Sequence, residues 1–147
     1  MRNAARIILE STFTESSTMF LLQINGTLKG LTPGKHGFHV HERGDIGNGC
    51  IDAGGHYNPR GQPHGGPDDL QKHVGDLGNI IANLDVTFKR LSLIRFHSIV
   101  GRAIVIHEGT DDLGRGGDEG SRIAGNAGAR VACGVIGIVV SFGILCR

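Results

Sequence analysis

Two histidines stand one residue apart in residues 37–41, and this pair constrains the fold of the chain more than any other feature. Side chains alternate between the two faces of a β-strand, so His39 and His41 project to the same side of a strand. Most pairs of this kind bind no metal, but this pair is followed in the sequence by five further residues of metal-ligating types. The other members of the set are His56, His64, His73, Asp76 and His107. The sequence therefore predicts one polar cluster to which distant segments contribute.

The residue types in this cluster are those of a metal site. Neutral imidazole nitrogens suit copper and zinc, and three imidazoles with one carboxylate suit a tetrahedral zinc ion. The candidates are too many for one such ion, but two four-coordinate ions that share one imidazole would use them all. The spacing does not say which histidine is shared. Without a metal, this many polar groups gathered in a loop would be costly to bury, whereas His36 and His97 are expected to be ordinary hydrogen-bonding histidines.

Length and charge narrow the class of protein. A chain of 147 residues is long enough for one hydrophobic core, so we predict a single domain over residues 1–147. The 15 basic and 14 acidic side chains nearly balance, which argues against binding to nucleic acid or to a membrane surface. No stretch reaches the roughly 20 apolar residues that a membrane span needs, and the N-terminal residues contain no signal-peptide core. These observations predict a cytoplasmic protein.

Glycine makes up 25 of the 147 residues without a fixed period, which is typical of strands joined by turns and long loops. Apolar and β-branched runs predict strands at 20–24 and 37–41, and again within residues 80–107 (85–88, 91–94 and 103–107) and at 131–138. Residues 42–76 and 108–130 are predicted as long loops, and loops of this length need internal support. Residues 1–20 show no sustained period, and no helix longer than one turn is predicted.

Ordered motifs between residues 25 and 138 resemble the copper,zinc superoxide dismutase family. They are GKHGFHVHE at 34–42, GC at 49–50, AGGHYNP at 53–59, HGGP at 64–67, HVGDLGN at 73–79, GR at 101–102, DDLG at 111–114 and GNAG at 125–128, followed by Arg130 and Cys133. The resemblance implies an all-β fold, an antiparallel Greek-key β-barrel or sandwich of about eight strands with two long loops forming a metal site. Residues 1–20 do not match the strand with which the family opens.

The resemblance also implies how the ligands are divided. Copper would be held by four imidazoles, and zinc by three imidazoles and a carboxylate, with His56 as the bridging imidazolate. The implied copper ligands are His39, His41, His56 and His107, and the implied zinc ligands are His56, His64, His73 and Asp76. Asp111 matches the family's carboxylate that hydrogen-bonds His39 and His64 and so fixes ring orientation. Without the resemblance, Asp111 would be interpreted as a loop cap.

The implied activity is the disproportionation of superoxide to dioxygen and hydrogen peroxide by Cu(II)/Cu(I) cycling, next to a structural zinc. Arg130, which would draw in the anion, and His56, which can carry a proton, are the implied catalytic residues. Cys50 and Cys133 match the family's disulfide, which leaves Cys146 as an odd thiol. The implied partners are the superoxide anion, a second copy of the chain in a homodimer, and a copper-delivery chaperone.

Departures from the family pattern leave alternatives open. Arg43 stands where the family often has an aromatic residue at its dimer contact, and Ile123 and Ala124 replace a usual Lys and Thr of the channel to copper. A second hypothesis is therefore a metal-binding, dismutase-like protein with impaired or no turnover. A third, a copper-delivery protein, is disfavoured because the chain has no Cys-x-x-Cys motif for metal transfer.

Overall fold

The computed structural model describes residues 6–11, 22–28, 30–83, 86–92 and 99–137. Within these ranges the chain forms seven strands and three short helical segments. The strands are β1 Arg6–Ser11, β2 Leu22–Leu28, β3 Gly34–His41, β4 Asp76–Ala82, β5 Val86–Ser92, β6 Ala103–His107 and β7 Arg130–Val135. The helical segments are α1 Gly47–Cys50, a 3₁₀ turn Ile51–Ala53, and α2 Glu119–Ala124.

All strand pairs are antiparallel and lie in two sheets. One sheet has the order β1-β2-β5, and the other has the order β4-β3-β6-β7. In the second sheet β3 pairs with β6, although β4 and β5 lie between them in the sequence, and such a long return connection is typical of a Greek key. The predicted antiparallel Greek-key β-barrel is confirmed.

The N-terminal region contributes a strand that the sequence did not indicate. β1 lies within residues 1–20 and pairs with β2 from Arg6 opposite Thr27 to Ser11 opposite Leu22. Because an isolated strand of this length is not stable, its conformation depends on that pairing, and local sequence pattern carries little sign of it. β2 also continues through Asn25 and Gly26, which the sequence would place in a turn.

Other strand boundaries shift from the predicted ones. β4 begins at Asp76, ahead of the strand-like residues indicated from residue 80, and β5 joins the two runs predicted at 85–88 and 91–94 into one strand. β7 starts at Arg130 and ends at Val135, three residues short of the prediction. His97 and Cys146 lie outside the described residues, so the predictions made for them stay predictions.

Helix α2 corrects the prediction that no helix exceeds one turn. It lies in the middle of the loop predicted at 108–130. The carboxylate of Asp118 caps its start by accepting a hydrogen bond from the backbone N–H of Ser121 (2.8 Å), and Gly125 ends it with φ of 68°. A helix of six residues is too short for an apolar period to show, so only its two caps could have indicated it.

The hydrophobic core joins the two sheets. Leu28 of β2 packs with apolar side chains of β3, β4 and β6: the buried members of this cluster are Leu28, Phe38, Val40, Leu77, Ile80, Ala82, Ile99, Ile104, Ile106 and Ile136. Among the described residues, no helix has both the length and the apolar character that crossing a membrane requires. The face of the four-stranded sheet that points away from this core carries the histidines described next.

Candidate metal centre

β3 and β6 place three histidines on one face of the four-stranded sheet. Alternation along β3 sends Phe38 and Val40 into the core and His39 and His41 to the opposite face. Along β6 the same alternation puts His107 on that opposite face, and all three histidine side chains are buried. His39 and His41 therefore lie on the same side of β3, which is the arrangement that the sequence predicts.

His56 reaches the same face from the long loop between β3 and β4. An isolated antiparallel bridge joins the backbones of His41 and His56, and the N–H of Tyr57 donates to the carbonyl oxygen of Val40 (2.8 Å). The candidate ligand atoms of four histidines lie within 4.8 Å of one another. We call this set the four-histidine cluster: His39, His41, His56 and His107.

Two members of the four-histidine cluster have their tautomers fixed by the backbone. Nδ1 of His41 donates to the carbonyl oxygen of Gly54, and Nδ1 of His107 donates to the carbonyl oxygen of Gly128, each at 2.9 Å. The Nε2 atoms of both rings are therefore unprotonated in the neutral imidazoles. These two Nε2 atoms face each other at 3.4 Å, where neither has a proton to donate. A cation held by both nitrogens would satisfy these two lone pairs.

The other two members present unpartnered nitrogens to the same space. Nε2 of His39 donates to Asp111 (2.9 Å), and Nδ1 of His56 contacts Asp76 (2.9 Å). Their remaining ring nitrogens, Nδ1 of His39 and Nε2 of His56, are buried and have no hydrogen-bond partner among the described residues. Buried polar atoms are rarely left unpaired, so four converging imidazole nitrogens fit a bound copper ion.

A second cluster is built around one carboxylate oxygen. Oδ1 of Asp76 lies 2.9 Å from Nδ1 of His56, 3.0 Å from Nδ1 of His64 and 3.1 Å from Nδ1 of His73. Oδ2 accepts the backbone N–H groups of Gly65 (3.1 Å) and His73 (2.8 Å), which fixes the carboxylate. Nδ1 of His64 is buried and, despite its proximity to Asp76, makes no hydrogen bond within the described residues. Three imidazole nitrogens and one carboxylate oxygen fit a tetrahedral zinc ion. We call this set the His–Asp cluster: His56, His64, His73 and Asp76.

Asp111 links the two clusters by hydrogen-bonding one histidine of each, at the ring nitrogen that is not the candidate ligand atom. Its Oδ2 accepts a hydrogen bond from Nε2 of His39 (2.9 Å), and its Oδ1 accepts from Nε2 of His64 (2.7 Å) and from the backbone N–H of Leu113 (2.8 Å). Asn79 holds the backbone of Asp111 through two hydrogen bonds of 2.8 Å, one in each direction. Sequence reasoning missed Asn79, although it is the last residue of the HVGDLGN motif.

The four-histidine cluster is kept neutral. Burial lowers the pKa of His39 to about 3, that of His41 to about 2 and that of His107 to about 4, and it also lowers the pKa of His56. Neighbouring imidazoles lower each pKa further, because two adjacent rings cannot both carry a proton charge cheaply. These nitrogens are therefore available as ligands near neutral pH without first losing a proton.

The charge at the His–Asp cluster is set by two ionised carboxylates, Asp76 within it and Asp111 next to it. Burial opposes ionisation of Asp76 and Asp111, but the hydrogen bonds from neighbouring histidines hold the pKa of each carboxyl group well below its usual range. His64 lies between the two carboxylates. Burial works against its charged form, yet the hydrogen bond to Asp111 and the nearby carboxylate of Asp76 raise the pKa of His64 to about 9. A divalent cation at this point would balance the two carboxylates in place of that proton.

Arg130 lies at the edge of the four-histidine cluster. Its guanidinium donates hydrogen bonds to the carbonyl oxygens of Cys50 (2.6 Å), Ile51 (3.0 Å) and Gly54 (2.5 Å). The same Gly54 oxygen accepts from His41. Burial and the nearby Arg43 lower the pKa of Arg130, which nonetheless remains a cation because arginine loses its proton only far above neutral pH. A fixed positive charge therefore stands next to the cluster.

Two irregularities in strand register bring site residues together. Between β3 and β4, Gly37 lies opposite Asn79 but His39 lies opposite Asp76, so β4 holds an extra residue near Gly78, which has φ of 76°. Between β6 and β7 a similar shift places His107 opposite Arg130. Sequence patterns cannot show such bulges.

A disulfide joins the loop after β3 to β7. Cys50 and Cys133 are bonded, which confirms the pairing that the resemblance implied. The bond ties residues 50–54, whose carbonyl groups hold Arg130, to the strand that carries Arg130.

His36 is buried, and its ring nitrogens lie 2.8 Å from the carbonyl oxygens of His107 and Thr32. It is the ordinary hydrogen-bonding histidine that the sequence predicted.

Comparison with known proteins agrees with this geometry. The sequence profile of the family described as Copper/zinc superoxide dismutase (SODC) matches residues 8–136. A Caenorhabditis elegans protein named extracellular superoxide dismutase (Cu-Zn) is 55% identical over 124 residues, which are 80% of this chain and 56% of that relative. A Haemonchus contortus protein of the same name is 54% identical over 125 residues, covering 81% of this chain and 68% of that relative. The crystal structure of the clock protein EA4 superposes with a TM-score of 0.81 at 42% identity, covering 93% of this chain and 89% of that one.

These relatives overturn the predicted cytoplasmic location, which was wrong. Both nematode relatives carry names that place them outside the cell. The prediction rested on the residues at the start of the chain, and those residues do not report the compartment of a chain that spans 56% of the first relative's length. The disulfide between Cys50 and Cys133 is the kind of bond that oxidising compartments preserve.

Proposed function

The chain belongs to the copper/zinc superoxide dismutase family, and from this premise we propose that it catalyses the disproportionation of superoxide. Two superoxide anions and two protons give one dioxygen and one hydrogen peroxide. The observation that carries the proposal is the position of the four-histidine cluster directly beside the His–Asp cluster, with His56 belonging to both. No other set of groups in the described residues combines a redox-metal donor set with an adjacent fixed cation.

The four-histidine cluster holds copper in this proposal, and the His–Asp cluster holds zinc. The assignment is supported by the donor atoms, because four imidazoles suit copper and the carboxylate-containing set suits zinc. Bound copper supplies one-electron redox chemistry, and bound zinc supplies charge without redox chemistry. Asp111 holds His39 and His64 in the orientation that presents Nδ1 of each to its cluster.

His56 is proposed as the residue that carries a proton to the product. It is the only histidine of the two clusters that belongs to both, with Nδ1 directed at Asp76 and Nε2 unpartnered among the described residues. Nε2 is the atom at which His56 would take up and release a proton. Burial lowers the pKa of His56, so a proton placed there is readily passed on.

Arg130 is proposed to bind and orient the anion. Its guanidinium is held by three carbonyl groups, and it lies close enough to influence the titration of both His41 and His107. A preorganised cation attracts an anion without a further rearrangement. The substrate therefore arrives next to the four-histidine cluster rather than at another part of the surface.

Domain organisation and location complete the proposal. Residues 1–147 are proposed to form one domain, supported by the main core cluster, which contains residues of both sheets. An extracellular location is proposed from the names of the two nematode relatives and from the disulfide. Recovery of the oxidised protein from the medium of the cells that make it would support this location, and its retention inside them would contradict it.

A homodimer is proposed because an apolar surface lies beside the disulfide. Ile46, Ile51 and Val135 are 44%, 66% and 53% exposed, and the loop and strand that carry them are joined by the disulfide. Burial against a second copy would remove this surface from water. Sedimentation of the wild type and of Val135→Asp would test it, since a monomeric wild type contradicts the dimer.

The remaining proposals concern a copper-delivery chaperone as a partner and the absence of binding to nucleic acid or a membrane. A copper-delivery chaperone is proposed because all four histidines of the copper set are buried, which limits direct loading by free copper. Neither nucleic acid nor a membrane is expected as a partner, since basic and acidic side chains are nearly equal in number. Loading of the metal-free protein with copper alone, compared with loading from a copper-carrying protein, would test the chaperone.

The experiment that tests the activity is stopped-flow decay of superoxide on protein with counted copper and zinc. Rapid catalysed decay supports the proposal. A metal-binding protein with little turnover is the second candidate function, and full copper loading with decay at the uncatalysed rate would favour it. No described feature of the site favours that alternative.

A further inference from the structure

The carbonyl oxygens of residues 50–54 are held by two arginines. Arg130 donates to the first, second and fifth of these oxygens, at 2.6, 3.0 and 2.5 Å. Arg43 donates to the two between them, from Nε to the oxygen of Asp52 (2.9 Å) and from its backbone N–H to the oxygen of Ala53 (3.0 Å). Every carbonyl of this segment therefore accepts a hydrogen bond from one of the two residues.

Arg43 packs closely against the backbone of the segment at Gly54. This glycine has φ of 79°, and a Cβ atom at its position would lie 2.9 Å from Nη2 of Arg43 and 2.7 Å from Oε2 of Glu42. Arg43 and Glu42 are both exposed, and their charged groups lie 3.8 Å apart. An exposed ion pair of this kind contributes little. Arg43 is linked to the segment by its hydrogen bonds to the carbonyl oxygens of Asp52 and Ala53.

We propose that Arg43 is a positioning residue for Arg130. By holding the middle of segment 50–54, it fixes the carbonyl groups on either side to which the guanidinium of Arg130 is bonded. One of those groups, the oxygen of Gly54, also fixes the ring of His41. The inference rests on the proposed function of Arg130 as the anion-binding residue.

The side chain at position 43 matters because of its geometry as well as its charge. Arginine presents its Nε–H in a rigid planar fork, whereas lysine presents a flexible ammonium group. Arg43→Lys therefore keeps the positive charge near Arg130 and loses the Nε–H that donates to Asp52. This variant separates positioning from simple electrostatic attraction of the substrate.

Activity is measured as kcat/KM for superoxide on metal-loaded full-length protein at fixed ionic strength. We expect Arg43→Met and Arg43→Lys each to lower kcat/KM about three- to tenfold, because a misplaced binding group weakens every later step. In an Arg130→Met background, Arg43→Met should cause no further loss, since its effect passes through Arg130. A wild-type rate in Arg43→Lys, or an equal loss in both backgrounds, would overturn the proposal.

Hydrogen exchange gives a readout that does not depend on turnover. The backbone amides of residues 50–55 should exchange at least about threefold faster in Arg43→Met, because local opening becomes easier. Arg60→Met, which removes an exposed arginine from the loop after β3, is the matched control and should leave both exchange and rate unchanged. Unchanged exchange in Arg43→Met would contradict the proposal. If the metal-loaded wild type shows no turnover, the proposed function fails, while the exchange comparison still decides whether Arg43 holds the segment.

Discussion

Arg130 and His41 share one hydrogen-bond acceptor, the carbonyl oxygen of Gly54. The oxygen fixes the tautomer of His41, so that its Nε2 faces the four-histidine cluster, and it also anchors the guanidinium of Arg130. The proposed anion-binding group and a proposed copper ligand are therefore held by the same backbone atom. Any movement of this oxygen changes both the position of the cation and the direction of a ligand lone pair.

This arrangement predicts the effect of removing the cation. Arg130→Met should lower kcat/KM about ten- to a hundredfold, which lies within the range of electrostatic steering effects on association rates, and should flatten its dependence on ionic strength. The measurement is stopped-flow superoxide decay between low and high salt on copper-counted samples. Arg60→Met serves as the control for loss of one positive charge. A salt dependence in Arg130→Met equal to that of the wild type would show that Arg130 does not guide the anion.

The carboxylate of Asp111 should set metal affinity. Asp111→Asn replaces one of two accepting oxygens with a donor, so His39 and His64 cannot both keep their present hydrogen bonds. We expect zinc affinity to fall about 10- to 100-fold, as is usual when a partner behind a ligand is lost. Competition with a chelator measures the affinity. Asp68→Asn is the control, because it removes the same negative charge at an exposed residue, and it should leave zinc affinity unchanged. Equal zinc affinities in the two variants would argue against a role for Asp111.

Gly125 makes room for Asp111. With φ of 68° it ends helix α2, and a Cβ atom there would overlap Oδ1 of Asp111 and Nε2 of His64. Gly125→Ala should therefore lower both the free energy of unfolding, by about 1 kcal/mol or more for the left-handed backbone alone, and the zinc affinity. Gly61→Ala is the matched control, because Gly61 has φ of 61° and nothing within 4 Å of the added carbon. It should lower stability and spare zinc. Loss of zinc in the Gly61 variant as well would show that backbone strain, not overlap with Asp111, is the cause.

The disulfide should contribute a large part of the stability. It closes a separation of 83 residues, for which the chain-entropy treatment gives about 4 to 5 kcal/mol. Replacing Cys50 and Cys133 together by serine should lower the free energy of unfolding by an amount of this order. Urea denaturation of the metal-free protein measures it, with chemically reduced wild type as the reference. A double variant as stable as the oxidised wild type would rule out this contribution.

Most of the candidate metal-binding residues could be predicted from the sequence, but less of the fold around them could. Ligand chemistry resides in single side chains, so His39, His41 and Asp76 stood out by residue type and order alone. The positions of Asn79, Arg43 and Gly125 matter through contacts with segments far away in the sequence, and a pattern search sees no such contacts. Residue identity indicated the cluster, and only the structure shows how it is held.

Strand β1 and helix α2 illustrate why the remaining elements were missed. β1 exists through its pairing with β2, and that pairing also carries β2 through Asn25 and Gly26 against their turn preference. Helix α2 depends on the caps supplied by Asp118 and Gly125, not on an apolar period. The bulge that places Arg130 opposite His107 comes from strand register, which a single sequence does not specify.

The central claim is that the two clusters bind different metals and turn over superoxide together. Its most direct test is the rate of superoxide consumption on purified protein whose copper and zinc are counted in the same sample. The account predicts about one copper and one zinc per chain with fast catalysed decay, and loss of that decay when copper alone is removed. Full copper and zinc with decay no faster than in buffer would contradict it.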